Sequence, residues 1–89
     1  MKRVRVVVSE LVQGVFYRAT CVELARERDL CGYVRNLPDG SLEAAFEGPG
    51  DTVDEMVRWC GRGPGLARVD HIDVIDEEPV GDVGFRVTH

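Results

Sequence analysis

The stretch "GYVRNLPDGSLEAAFEG", Gly32 to Gly48, decides the architecture. Pro38 presets one backbone angle, Asp39 is able to bond its own backbone, and Gly40 tolerates positive φ, so Pro38 to Gly40 forms a tight turn. Before the turn, "GYVRNL" reads as a strand. After it, "LEAAFEG" alternates Leu42, Ala44 and Phe46 against Glu43, Ala45 and Glu47, the period of a strand with one apolar face. Two strands joined by so short a connection are an antiparallel hairpin.

Helical patterns flank this hairpin on both sides. Upstream, "RATCVELARERDL" (residues 18–30) has apolar positions at Cys21, Val22, Leu24 and Ala25, with no Pro or Gly before Gly32, and predicts a helix of about three turns. Downstream, "GPG" (residues 48–50) breaks the chain, Asp51 or Thr52 is placed to cap a second helix, and Thr52 and Glu55 have the spacing of a capping box. Val53, Met56, Val57 and Cys60 fall on one helical stripe, and "GRGPG" (residues 61–65) ends it. Further out, "RVRVVVS" (residues 3–9) alternates arginines with Val4, Val6 and Val8. Val7 adds apolar character to its second face, as expected of a central strand. "ARVDHIDVIDEEP" (residues 67–79) predicts a fourth strand and "FRVTH" (residues 85–89) a short fifth.

The order is β-α-β-β-α-β with a short extra C-terminal strand. Right-handed crossovers then place two helices on one face of an antiparallel sheet, with the first and third strands side by side at its centre. This is an α+β, ferredoxin-like sandwich, expected to form one domain over residues 1–89. The fold alone assigns no function.

Charge narrows the function. Residues 1–35 hold seven basic and four acidic side chains, whereas residues 36–89 hold four basic and twelve acidic ones. A chain of net charge -5 lacks the dense basic face that nucleic acid requires, so an anion site, if present, is small and lies in the N-terminal third. No apolar run spans a membrane, and "MKRVRVVVSE" has no apolar segment of signal-peptide type, which makes the cytoplasm the expected address; size and net charge make a monomer the expected state. Three cysteines, Cys21, Cys31 and Cys60, form no C-x-x-C pair and read as reduced, mostly buried thiols.

Candidate chemistry centres on "VQGVFYR", Val12 to Arg18, between the first strand and the first helix. Successive N–H groups in a glycine-containing turn form a concave nest for an anion, and the helix dipole adds to it. Arg18 sits where that dipole makes a cation unwelcome unless something negative is near. Either the nest and the Arg18 fork hold one phosphate, or Arg18 pairs structurally with Glu10 or Glu23. Asn36, just before the turn, reads by itself as a residue whose side chain bonds local backbone. Phe16, Tyr17 and Tyr33 read as core or rim aromatics. Walker A and dinucleotide fingerprints are absent, and "DHIDVIDEE" (residues 70–78) reads as the solvated side of a strand, so neither a metal nor a cofactor is expected. No His stands at a spacing that would make a Ser or Cys a nucleophile.

"VQGVFYR" together with "GYVRNLPDGSLE" (residues 32–43) resembles the two signature segments of the acylphosphatase family. The likeness continues through "ARVDHIDV" (residues 67–74) and "GFRV" (residues 84–87), so it covers essentially the whole chain. The resemblance implies metal-free hydrolysis of small-molecule acyl phosphates to carboxylate and orthophosphate. It makes Arg18 and Asn36 catalytic, with Gln13, Gly14, Val15, Phe16 and Tyr17 wrapping the phosphoryl oxygens and the Asn36 amide orienting water. The alternative it leaves is a non-catalytic phosphate-binding or protein-interaction module of the same fold. Three positions depart from the family pattern: Glu10 stands where Gly is usual, Tyr17 where Phe is usual, and Tyr33 where Trp is common. Tyr17 brings a hydroxyl that needs a partner, and Glu10 brings a carboxylate that repels phosphate unless it points away.

Overall fold

The computed structural model describes residues 1–9, 17–62 and 71–88. The elements run β1 (Lys2–Ser9), α1 (Tyr17–Glu27), β2 (Cys31–Asn36), β3 (Leu42–Gly48), α2 (Gly50–Arg62), β4 (His71–Glu77) and β5 (Phe85–Val87). The five strands form one sheet in the order β4-β1-β3-β2-β5, with β1 and β3 adjacent as expected. The sheet is mixed rather than wholly antiparallel, because β5 pairs parallel to β2. The cause is directional: β4 runs antiparallel to β1, and the chain then crosses from one sheet edge to the other before adding its last strand.

Alternation along β1 sorts the two sides of the sheet. Val4, Val6 and Val8 are fully buried beside Phe46, Ala44 and Leu42 of β3. Each such burial contributes about 1.5–3 kcal/mol over exposure. The helices cover this side, α2 against β1 and β3 and α1 against β2 and β5. Val53, Met56 and Cys60 of the anticipated α2 stripe are buried, and Val57 packs against the same core. Phe85 stacks on Phe46 with ring centres 5.5 Å apart, which fastens the short β5 to the centre of the sheet.

The helix-free side is held by charge. Arg3 and Arg5 of β1 both reach Glu77 of β4, Arg3 also reaches Glu47, and Arg5 reaches Glu43. Glu43 further accepts from the Tyr33 hydroxyl at 2.9 Å and from Arg35 Nε at 3.0 Å. Glu47 accepts the backbone N–H groups of Val80 and Asp82 at 2.8 and 3.0 Å, pinning the β4–β5 crossover across this face. Those backbone donors, Val80 first, outweigh the burial of Glu47 and hold its carboxyl below the usual range. Burial opposes ionisation of Glu43 and Asp82 as well, yet hydrogen bonds from Tyr33 and Arg35 to the first, and from the Val83 N–H and Arg86 to the second, keep both lowered.

Turn chemistry shows where sequence reading held and where it slipped. Gly40 N–H bonds the Leu37 carbonyl at 3.0 Å, Leu37 N–H bonds the Ser41 carbonyl at 2.8 Å, and Gly40 has φ 91°, so the hairpin is a tight turn followed by a glycine bulge. Helix α1 stops at Glu27, short of the Gly32 limit. Asp29 takes φ 54°, its N–H bonds Arg26 O at 3.1 Å, and Leu30 N–H bonds Ala25 O at 3.0 Å, a Schellman closure without glycine. Helix α2 begins before the expected cap, since Val53 N–H bonds the Pro49 carbonyl at 3.0 Å and leaves Asp51 and Thr52 inside the first turn. It also continues through Gly61 to Arg62; the rest of "GRGPG" and the start of the fourth strand lie outside the described residues. Strand β4 forms one edge of the sheet and carries Asp73, Asp76 and Glu77, with Val74 half exposed. No helix among the described residues is long and apolar enough to cross a membrane.

Gly32 is required at its position. Its φ is 135°, and a Cβ there would meet the backbone carbonyl oxygen of Ala45 across the strand pair. Gly32→Ala is expected to cost roughly 2–4 kcal/mol in urea unfolding, a loss that an unchanged midpoint would contradict. The lowered carboxyls give a second expectation. Unfolded, they take up protons at higher pH than when folded, so their stabilisation is complete above the ordinary carboxylate range and fades as pH falls through it, from roughly pH 4.5 downward. Glu47→Gln is expected to lower the thermal midpoint at neutral pH by roughly 5–10 °C and to flatten its decline in acid. A variant whose midpoint follows the wild-type acid profile would show that the crossover clamp adds nothing.

Candidate active site

Strand β1 ends at Ser9, opposite His71 of β4, and the chain returns at Tyr17 to start α1. The three residues 28–30 join α1 to β2, so the two run in opposite directions and the first turn of α1 lies over the C-terminal end of β2. Asn36 is the last residue of β2, in register with Leu42, which pairs with Val8. Its position alternates with Arg35, so it shares the helix-covered side of the sheet with Val34. The start of α1 and the end of β2, and with them Arg18 and Asn36, therefore lie toward one end of the sandwich, on one side of the sheet.

Arg18 is half-buried in the first turn of α1, a turn that carries no acidic residue. The first turn of α2, by contrast, carries Asp51, the charge the dipole favours. Among the described residues Arg18 forms no ion pair, and Glu23 is exposed without engaging it. The arginines on the open side of the sheet are all matched to carboxylates, whereas the one at the helix start is left facing a partial positive charge.

Asn36 is exposed, and its amide has no hydrogen-bond partner among the described residues. The turn that follows does not use it: Asp39 accepts from the Ser41 N–H at 3.0 Å and from the Ser41 hydroxyl, and the backbone of Leu37, Gly40 and Ser41 closes the rest. The local role that the Asn side chain was able to take is filled by Asp39. Gln13, Gly14, Val15 and Phe16, expected around the phosphoryl oxygens, lie outside the described residues, as does Glu10.

Tyr17 is placed differently from a ligand contact. Its ring is buried at 4% exposure, its hydroxyl donates to the Cys60 carbonyl at 2.6 Å, and its ring centre lies 4.9 Å from that of Trp59. Burial, followed by the nearby Cys60, pushes the phenol far above its ordinary value, so it stays a neutral donor. Only the Tyr17 backbone is left to serve an anion. Cys21 and Cys60 are buried free thiols, Cys31 is half-buried, and the Cys21 thiol is raised by its hydrogen bond with Cys60 and by burial. Among the described residues no three His, Cys, Asp or Glu side chains converge to hold a metal ion.

The acylphosphatase family model matches residues 4–87, nearly the whole chain. The chain belongs to the acylphosphatase family. An acylphosphatase of Natronomonas pharaonis is 51% identical over 85 residues, covering 96% of this chain and 92% of that protein. One from Rubrobacter xylanophilus is 54% identical over 88 residues, covering 97% and 79% respectively. The crystal structure of acylphosphatase from Bacillus subtilis superposes with a TM-score of 0.91 at 30% identity, covering 100% of both chains. Of the departures from the acylphosphatase pattern, two are accounted for by contacts. The Tyr17 hydroxyl has the Cys60 carbonyl, and the Tyr33 hydroxyl has Glu43. Sequence reading missed Cys60 and Trp59 as the backing of the α1 start; the only signal was an extra hydroxyl in need of an acceptor.

Proposed function

We infer that the chain hydrolyses the carboxyl-phosphate bond of acyl phosphates, releasing carboxylate and orthophosphate. Family membership at about half identity over nearly the full chain carries the reaction. The single observation that supports its assignment to this end of the molecule is a first helical turn bearing Arg18 and no acid, over the strand end that carries Asn36. In this reading the residue 13–17 segment supplies backbone N–H groups to the phosphoryl oxygens, and Arg18 balances their charge with two parallel donors. The Asn36 carbonyl oxygen accepts a hydrogen bond from the attacking water and so aims its lone pair at phosphorus, while the water's protons leave with the orthophosphate product. The bond from phosphorus to the bridging oxygen breaks as the water oxygen bonds. The departing carboxylate is a weak base that needs no general acid, and the loose transition state asks chiefly for position and charge stabilisation. The reaction accordingly runs without a metal. Soluble small acyl phosphates are the substrates, nucleic acid is not a partner, and the protein works as a cytoplasmic monomer.

Benzoyl phosphate is expected to be hydrolysed at an undiminished rate in excess EDTA. Loss of activity on chelation would remove the metal-free mechanism, and phosphate binding without turnover would favour a non-catalytic module. Arg18→Ala and Asn36→Ala are each expected to lower kcat by roughly two to three orders of magnitude, the scale for removing one preorganised group. Arg18→Ala is also expected to weaken inhibition by orthophosphate, which Asn36→Ala leaves nearly intact. Two variants with near wild-type turnover would place the chemistry elsewhere.

A further inference from the structure

Helices α1 and α2 lie antiparallel and are tied at both ends. At one end Arg28 meets Glu55 at 2.8 Å; at the other the Tyr17 hydroxyl meets the Cys60 carbonyl at 2.6 Å. The first tie is exposed and is worth little. The second is buried, short and directional. Cys60 belongs to the last turn of α2, whose carbonyls have no partner within the helix, and the phenol supplies one to a buried residue there. Trp59, one residue earlier, packs against the same ring at an interplanar angle of 38°. A phenylalanine would fill this space equally well. What the hydroxyl adds is a fixed distance between the start of α1 and the end of α2.

Arg18 is the next residue in the chain. With the Tyr17 backbone held by its ring and hydroxyl, the Cα of Arg18 has little freedom, and the long side chain starts from a fixed origin. Building on the reading that Arg18 binds the phosphoryl group, we propose that Tyr17 is a positioning residue for Arg18. Its bond to Cys60 sets the first turn of α1 before substrate arrives, so that binding does not have to order that turn. The catalytic end of the molecule is thereby coupled to the last turn of α2, which carries no group of the reaction itself.

Tyr17→Phe removes the tie while keeping the ring, and the chain holds a single tryptophan, Trp59, whose emission reports on this contact. Orthophosphate titrations by calorimetry and by Trp59 fluorescence, with benzoyl phosphate kinetics, compare wild type, Tyr17→Phe, Arg18→Ala and the double variant well below each unfolding midpoint. Tyr17→Phe is expected to weaken orthophosphate binding and raise KM together, roughly three- to ten-fold, the scale of one buried hydrogen bond, with a smaller change in kcat. In the Arg18→Ala background the same substitution is expected to change kcat/KM by less than about two-fold, as coupled residues in contact do not add. Orthophosphate is expected to shift Trp59 emission in wild type and to do so less in Tyr17→Phe. Unaltered phosphate affinity in Tyr17→Phe, or an equal loss in both backgrounds, would overturn the positioning role while leaving the phosphate site standing. A wild-type protein that neither binds orthophosphate nor hydrolyses benzoyl phosphate would overturn both.

Discussion

Strand β1 is hydrogen-bonded along both edges, to β3 on one side and β4 on the other, and nearly every other feature takes its position from that double pairing. A strand paired twice cannot slip by one residue without turning Val4, Val6 and Val8 out of the core and Arg3 and Arg5 into it. Its register therefore fixes which residues of β3 and β4 face the helices. It also fixes the end of the sheet at which β1 stops, at Ser9, and α1 begins, at Tyr17. Helix α1 leads the chain away from that end and β2 brings it back, so that Asn36 closes the strand there and the hairpin turns into β3. The candidate active site follows from the way the central strand runs.

The two sides of the sheet are stabilised by different physics. Under the helices the core is aliphatic and aromatic, with Phe46, Met56 and the valines fully buried. On the open side, arginine forks and carboxylates from four strands cover Ala45, which is itself fully buried without a helix above it. Ten arginines against one lysine suit this use, because a planar guanidinium bridges two carboxylates in a fixed geometry. Arg3 does so between Glu47 and Glu77. Arg18 belongs to neither layer. It stands at a helix start that already leans positive, and no carboxylate among the described residues pairs with it.

Much of this was legible in the residues. The hairpin around Pro38 to Gly40, the period of β1 and the α2 stripe were each specified by local chemistry, and they are where the structure places them. Helix ends were less legible. The left-handed conformation at Asp29 is held by backbone bonds and the burial of Leu30, and such a stop has no glycine to announce it. The parallel pairing of β5 depends on a crossover whose anchor, Glu47, reads in the sequence as one more solvated carboxylate on an alternating strand. Arg18 and Asn36 could be singled out individually, but their placement at one end of one side is a property of topology. The Tyr17 contact was least legible, since Cys60 contributes through its carbonyl, a group every residue has.

Among the described residues, strand β4 leaves one row of backbone donors and acceptors without a partner strand at the margin of the sheet. Were two such margins to meet, the exposed Asp73 and Asp76 would bring like charge from both copies to the seam, a juxtaposition that repels. Protonation loosens Glu43, Glu47 and Asp82, the carboxylates that clamp the open face. The acids of the fourth strand thus serve two ends: Glu77 binds the arginines of β1, and Asp73 and Asp76 set like charge along the margin.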